Sequence, residues 1–202
     1  EIPCLIRWPK GIKPGSVSHG LLQNTDFVPT WFELAGAKIP EDYQIDGKSL
    51  VPMFRDPAVS VRNFIYAEQG VARAIKTDEW EYISLRYTDE QIAAAQGNRS
   101  NRAFKTFLGL SGGISRARYF HPGIFSADQL YHLAHDRESQ KNLAQDQGYA
   151  DQLRKMKKML TRTVKKLGPR PYGEFVPGKG TNDAKTSQKI LDKLSVYHAK
   201  EN

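Results

Sequence analysis

Cysteine is almost absent from this sequence of 202 residues, and its scarcity excludes two classes of protein. The single cysteine, Cys4, cannot form a disulfide within the chain, and one thiol cannot assemble a cysteine-based zinc site. Long apolar runs are also missing, since no stretch approaches the about 20 residues that a helix needs to cross a bilayer. We therefore expect neither a disulfide-stapled scaffold nor a membrane partner.

Acidic residues are outnumbered, with 22 Asp and Glu against 30 Lys and Arg, and the formal net charge is +8. This excess has two interpretations: a solvated basic surface, or attraction to polyanions such as nucleic acid or an anionic substrate. No nucleic-acid recognition motif is present, so nucleic acid is not an expected partner. A basic polyanion-binding module nevertheless stays open as an alternative function.

The first residues read like the interior of a fold, without an initiator methionine or a leader. Residues 2–8 form an apolar run closed by Pro9, which predicts a buried strand with Cys4 in the core. Such a strand would need partners from an N-terminal part of the same protein. We therefore expect a partial chain, and self-association through an exposed sheet edge when this piece is isolated.

Periodicity predicts the remaining elements. Asp26 is expected to cap a short helix with its carboxylate, and Gly36 is expected to end that helix. Four strands are predicted, over residues 64–69, 71–76, 80–87 and 129–133. A last helix is predicted over residues 149–167, with apolar residues at spacings of three and four that should face the sheet: Leu153, Met156, Leu160, Val164 and Leu167.

Three stretches of the sequence resemble a known family. They read PCLIRWPKGIKPGSVS at 3–18, continuing into TDFVPT, ELAG and DGKSLVP by residue 52; VARAIKTDEWEYI at 71–83; and QLYHLAHDRESQKNLA at 129–144. Over roughly residues 1–167 the chain is similar to the C-terminal portion of arylsulfatase-like sulfatases, in the alkaline-phosphatase superfamily. His132 departs from the family pattern, which usually has Asp at this position, and Arg137 stands where the family often has Pro.

The resemblance implies an α/β fold with an α+β subdomain. Residues 1–57 would be the last strand and helix of an alkaline-phosphatase-like α/β domain. Residues 58–167 would form a small antiparallel four-stranded sheet packed with a C-terminal helix, and residues 168–202 a basic surface tail. The resemblance also implies an exported protein, although the sequence itself does not identify the compartment.

The activity that the resemblance implies is hydrolysis of sulfate esters, through a formylglycine made within a CxPSR motif and a divalent cation, usually calcium. The sequence contains no such motif, because Cys4 is followed by Leu-Ile-Arg. We therefore assign no catalytic, cofactor-binding or metal-binding residue to this chain. The formylglycine nucleophile and the calcium ligands are expected upstream, and the chain alone is expected to be inactive. A related phosphate or phosphonate ester hydrolase stays open as an alternative.

Residues 87–125 depart most from the family pattern and carry several basic side chains. Because long loops on a rigid scaffold often recognise ligands, Arg118 and His121 are the candidate residues of a substrate rim, with a structural loop role as the alternative. The expected substrate is a sulfated small molecule or a sulfated sugar. The spacing of His132 and His135 suggests a metal pair, but on a strand leading into a turn their rings are expected to diverge.

Overall fold

The computed structural model of the chain describes residues 3–69, 72–86 and 126–167. The chain divides into two compact units, Glu1–Ile65 and Tyr66–Asn202, whereas the boundary expected from the sequence falls after residue 57. No helix in the described ranges has the length and apolar character needed to cross a membrane.

The first unit contains two short helices after a single 3-10 turn, Asn24–Asp26. Helix α1 spans Phe27–Leu34, with Pro29 in its first turn, where a missing amide hydrogen costs little. Gly36 follows in the left-handed region at φ 64°, and the amides of Gly36 and Ala37 donate to the carbonyls of Glu33 and Phe32 at 3.1 and 2.9 Å. This is a Schellman ending, so the prediction that Gly36 terminates the helix is confirmed.

Helix α2, Val51–Arg55, carries most of the apolar core of the first unit. Leu50, Val51 and Met53 are buried at this point. The amide of Leu50 donates to the hydroxyl of Thr30 at 2.8 Å, which ties the start of α2 to α1. The segment between α1 and β1 is therefore anchored by one helical turn and a packed side-chain cluster.

The predicted strand at the beginning of the chain is wrong for the part that the structure describes. Residues 3–8 form no strand, and the Leu5 side chain is 98% exposed. Cys4 is exposed as well, not in a core. A strand exists only through hydrogen bonds to a neighbouring strand, and the described residues offer none to this segment. The expected sheet edge is therefore absent here, while apolar side chains are exposed; self-association stays a prediction.

The second unit is built on a four-stranded antiparallel sheet. Its strands are β1 Ile65–Gln69, β2 Ala72–Lys76, β3 Trp80–Leu85 and β4 Asp128–His132, arranged in the order β1-β2-β3-β4. The predicted strands are confirmed, with ends that shift by one or two residues. Between β2 and β3, the amide of Thr77 donates to the carbonyl of Trp80 at 2.8 Å and closes the turn that joins the two strands.

One row of side chains crosses the sheet at its centre. Ile75 on β2 pairs with Tyr82 on β3, and Tyr82 pairs with Leu130 on β4. All three side chains are fully buried. Because alternate residues of a strand point to the same face, this row marks the face that the last helix covers.

Helix α3, Ala150–Lys166, follows a 3-10 turn and contacts β2 and β3. Met156 and Leu160 are buried, and Leu153, Val164 and Leu167 are partly buried. The predicted helix and its apolar stripe are confirmed. Full burial of Met156 and of Leu160 is worth about 1.5–3 kcal/mol each, so this contact stabilises the second unit.

Candidate functional site

A buried carboxylate, Asp26, organises the first unit. Its Oδ2 accepts the amide hydrogen of Gln23 at 2.7 Å, and its Oδ1 accepts that of Lys48 at 2.8 Å. The guanidinium of Arg62 completes the set through an ion pair with Oδ1 and a hydrogen bond to Oε1 of Gln23 at 2.9 Å. One carboxylate therefore fixes three segments that lie far apart in the sequence.

The cap prediction for Asp26 needs a correction. Asp26 is the residue before α1, as expected, but its side chain makes no cap hydrogen bond to that helix. The reason is its backbone, which is already helical at φ −73° and ψ −20° as the end of the 3-10 turn. A capping side chain normally extends from a residue in the β region. The carboxylate instead receives the amide of Gln23 and the side chain of Arg62, and neither partner is apparent from the sequence pattern.

A second polar cluster joins the sheet of the second unit to α3. Oδ1 of Asp128 accepts the hydroxyl hydrogen of Tyr82 at 2.7 Å and a hydrogen of Arg86 at 2.8 Å. Its Oδ2 accepts from the ammonium of Lys157 at 2.6 Å. The cluster therefore connects β3, β4 and α3 through one carboxylate with two cationic partners.

The surroundings determine the ionisation of this cluster. Burial alone would raise the pKa of Asp128, but the hydrogen bond from Lys157 and the positive charge of Arg86 outweigh it, so the pKa is lowered. Burial, followed by the negative charge of Asp128, raises the pKa of Tyr82. The carboxylate is thus ionised at neutral pH and the phenol is protonated. Since every partner is already engaged, this arrangement suits a scaffold contact and not proton transfer.

Four rings lie together near the sheet end that carries His132. The ring of His132 stacks on Trp80 with centroids 4.2 Å apart and an interplanar angle of 5°. His135 meets His132 at 4.6 Å and 82°, and Tyr149 lies 5.8 Å from Trp80. The expectation that the two histidine rings diverge is therefore wrong. Residues 132–136 form a tight turn, with the amide of Asp136 donating to the carbonyl of His132 at 2.9 Å, and this turn brings the rings together.

The described residues do not provide the site that calcium would need. Across residues 3–69, 72–86 and 126–167, no group of three or more His, Cys, Asp or Glu side chains could hold a metal ion. The two histidines form only a pair, and Asp136 nearby accepts the amide hydrogens of Gln140 and Lys141 at 2.8 and 2.7 Å. Cys4 is exposed and lies outside any modification motif. The residues present therefore do not fit either a calcium site or a formylglycine.

An open cavity of about 320 Å³ lies between residues 144–147 and the first turns of α3. Its charged groups already have partners: Lys157 bonds to Asp128 at 2.6 Å, and Arg154 pairs with Asp151 at 2.7 Å. The carboxylate of Asp146 accepts the amide hydrogen of Gly148 at 2.9 Å. The cavity is therefore a surface depression whose polar groups serve the fold.

The third family-like stretch, residues 129–144, acquires a physical role in the structure. Oδ1 of Asn142 accepts the amide hydrogen of Leu130 at 3.0 Å, and its Nδ2 donates to the carbonyl of Asp128 at 3.1 Å. The next amide, Leu143, donates to the carbonyl of Leu130 at 2.8 Å. The side-chain amide of Asn142 thus pairs with the backbone of β4 in the way that a neighbouring strand would. The sequence analysis assigns no such role to it, although its place in the NLA segment carries the signal.

The two proposed rim residues, Arg118 and His121, lie outside the described residues. The structure describes the points where their segment departs and returns, at residues 86 and 126. These points are adjacent, because the amide of Leu85 donates to the carbonyl of Ala127 at 2.9 Å, and Arg86 donates to the same carbonyl at 2.7 Å.

Comparison with known proteins adds a family to these observations. Residues 1–93 match the model of the C-terminal region of N-sulphoglucosamine sulphohydrolase. An ulvan-active sulfatase from Formosa agariphila is 30% identical over 178 residues, which are 83% of this chain and 34% of that protein. An N-acetylglucosamine-6-O-sulfatase from Bacteroides thetaiotaomicron is 44% identical over 56 residues, which are 28% of this chain and 10% of that protein.

Solved structures agree at the level of the fold. A structure described as a complex with its substrate D-glucosamine-2-N,6-O-disulfate aligns with a TM-score of 0.53 at 22% identity, covering 79% of this chain and 27% of that one. The chain spans about a third of the length of the ulvan-active sulfatase. Over this part of their length, the chain therefore matches the C-terminal portion of sulfatases.

Proposed function

We propose that the full-length protein hydrolyses sulfate esters and that this chain supplies part of its scaffold. The observation that carries the proposal is the match of residues 1–93 to a sulphohydrolase C-terminal region, extended by 30% identity to an ulvan-active sulfatase over 178 residues. The two polar clusters support the scaffold role, because both carboxylate oxygens of Asp26 and of Asp128 accept hydrogen bonds that join elements of the fold.

The proposed substrate is a sulfated sugar. Two relatives have names that refer to carbohydrate substrates, an ulvan-active sulfatase and an N-acetylglucosamine-6-O-sulfatase. The identity to the first extends over most of this chain, which favours a carbohydrate sulfate over a steroid sulfate. The match to the mouse steryl-sulfatase covers 58 residues and that to the N-acetylglucosamine-6-O-sulfatase covers 56, so the preference rests on the first relative.

The nucleophile and the metal are proposed to come from residues that this chain does not contain. When bound, a divalent cation such as calcium would stabilise negative charge on the sulfate oxygens. The described residues of this chain include no group of three or more side chains that could hold the ion. A chelator should abolish turnover by the full-length protein, and the 202-residue chain alone should show none.

Arg118 and His121 are proposed to form a substrate rim. Their segment leaves at the end of β3 and returns at the start of β4, and segments that connect strands of a sheet commonly recognise ligands. Arg118→Ala and His121→Ala should lower kcat/KM for a sulfated oligosaccharide by about tenfold, or about 1.4 kcal/mol. A small aryl sulfate should be barely affected. Equal losses on both substrates, or no loss on either, would remove the rim assignment.

The activity itself is tested with three substrates and one enzyme preparation. The full-length protein should hydrolyse an aryl sulfate and release sulfate from a sulfated oligosaccharide, with little action on the corresponding aryl phosphate. Faster turnover of the phosphate would instead favour the phosphate or phosphonate ester hydrolase. Turnover of neither ester by a folded, calcium-loaded protein would contradict the proposal.

A further inference from the structure

The solvent face of α3 is almost entirely basic. Exposed cationic side chains occur on it at spacings of three and four residues, and they define the basic face: Lys155, Lys158, Arg162, Lys165 and Lys166. At 3.6 residues per turn they fall within an arc of about 100° and along about 17 Å of the helix. They therefore form one continuous stripe parallel to the helix axis.

These five charges have no ionic partner among the described residues. Helix α3 contains a single acidic residue, Asp151, and that residue pairs with Arg154, one turn before the stripe. Lys157, in contrast, turns inward to Asp128. Lysines used for solubility are commonly interspersed with acidic residues four positions away, which stabilise the helix by a few tenths of a kcal/mol. The basic face lacks this pattern, and its positive charges repel each other.

The geometry of the helix limits what the basic face can bind. The opposite, apolar face is buried against β2 and β3, so it is not available to enter a lipid surface. The sequence of α3 contains no aromatic residue, so no platform for stacking nucleic-acid bases exists on it. A linear polymer with sulfate groups at intervals needs neither feature, because it can lie along a straight stripe of cations.

We propose that the basic face binds a linear sulfated polysaccharide. The inference rests on the proposed function, since the polymer is the class of molecule whose sulfate esters the protein would cleave. Contact along the stripe holds the polymer at the protein surface. Binding energy from contacts away from the bond that breaks then contributes to the selection of polymeric over small substrates.

The test compares two variants of the full-length protein with equal charge changes. One is Lys155→Gln/Lys158→Gln/Arg162→Gln, in which helix propensity is preserved. The matched control is Lys10→Gln/Lys13→Gln/Lys38→Gln, which removes three exposed charges from the first unit. Calorimetry measures binding to dextran sulfate, with uncharged dextran as the blank, at several salt concentrations. Circular dichroism melting confirms that both variants are folded.

We expect the α3 variant to bind dextran sulfate about tenfold more weakly, or about 1.4 kcal/mol, with a shallower salt dependence, since fewer counterions are exchanged. The control should change less than twofold. Equal losses in both variants would mean that net charge alone drives binding, and the assignment would be overturned. Equal or tighter binding of a single-stranded oligonucleotide through the same three residues would overturn it as well.

Hydrolysis of a small aryl sulfate, measured on the same samples, separates this inference from the proposed function. Wild-type protein that binds dextran sulfate through α3 but hydrolyses no sulfate ester would contradict only the proposed activity. If the protein hydrolyses sulfate esters but the α3 substitutions do not change its binding to dextran sulfate, only the proposal that the basic face binds the polymer is contradicted.

Discussion

Replacing Arg62 with methionine tests whether the Asp26 cluster holds the first unit together. Asp26 is fully buried and the Arg62 side chain is 9% exposed, so their ion pair is shielded from water. Methionine keeps much of the aliphatic volume of arginine but removes its charge. The variant therefore leaves a buried carboxylate without its only cationic partner among the described residues.

The expected cost follows from what remains around Asp26. Removing one partner of a buried ion pair typically costs about 3–5 kcal/mol. The amides of Gln23 and Lys48 still donate to the carboxylate, so the free energy of unfolding should fall by about 3 kcal/mol, the lower end of that range. Loss of the hydrogen bond from Arg62 to Gln23 adds about 1 kcal/mol. Since domains are stable by about 5–15 kcal/mol, this single change should be conspicuous.

Urea unfolding followed by circular dichroism measures the change, with Arg154→Met as the matched control. Arg154 also pairs with an aspartate, but the side chains of Arg154 and Asp151 are 75% and 91% exposed. The same substitution should therefore cost about 0.5 kcal/mol or less at this site. The double variant Asp26→Asn/Arg62→Met should lose less than the sum of its single changes, because no unpaired charge stays buried.

Equal midpoints for Arg62→Met and Arg154→Met, with unchanged slopes, would refute the reasoning. That result would mean that the two backbone amides alone are sufficient to solvate the Asp26 carboxylate. Additive losses in the double variant would point the same way, since they would show no coupling between the two side chains.

Three further changes test other parts of the fold. Leu160→Asp should unfold the second unit, because it places a charge in the contact between α3 and the sheet. Lys158→Ala should leave the melting temperature nearly unchanged. Equal melting temperatures for the two variants would mean that the helix is oriented differently. Asp128→Asn should lower the free energy of unfolding at pH 7. Because the folded pKa of Asp128 is lowered, the stability difference between wild type and variant should disappear as the pH falls below the ordinary aspartate value of about 3.9. A pH-independent difference would argue against the ion pairs. Gly47→Ala should be destabilising because its Cβ would lie 2.0 Å from the carbonyl oxygen of Thr25, and thermal melting should show a larger loss than for Gly20→Ala, whose nearest neighbour is the flexible end of Met53 at 2.8 Å.

Local patterns predict the second unit well, because its stability comes from periodic burial. Alternation in the strands and the stripe of α3 are visible in the sequence, and both lead to buried rows such as Ile75, Tyr82 and Leu130. The turn at residues 77–79 depends only on neighbouring residues. The family resemblance adds that these strands form one antiparallel sheet packed with the helix.

The failed predictions all depend on partners that local patterns do not reveal. A strand over residues 2–8 is apolar enough to form, yet it needs a neighbouring strand. Asp26 has the right residue type for a cap, but Arg62 lies thirty-six positions later in the sequence and changes its role. The proximity of His132 and His135 results from a turn whose hydrogen bonds become visible only in three dimensions.

The junction at residues 86 and 126 has a consequence for how such proteins diversify. The backbone hydrogen bond between Leu85 and Ala127 joins the two ends of the segment that connects β3 to β4. Closing a loop becomes only about 0.6 kcal/mol more costly for each doubling of its length. Insertions, deletions or replacement of residues 87–125 can therefore accumulate during evolution without disturbing the sheet. A lineage can exchange this segment as a unit, and the junction marks where a chimera of two relatives should be joined.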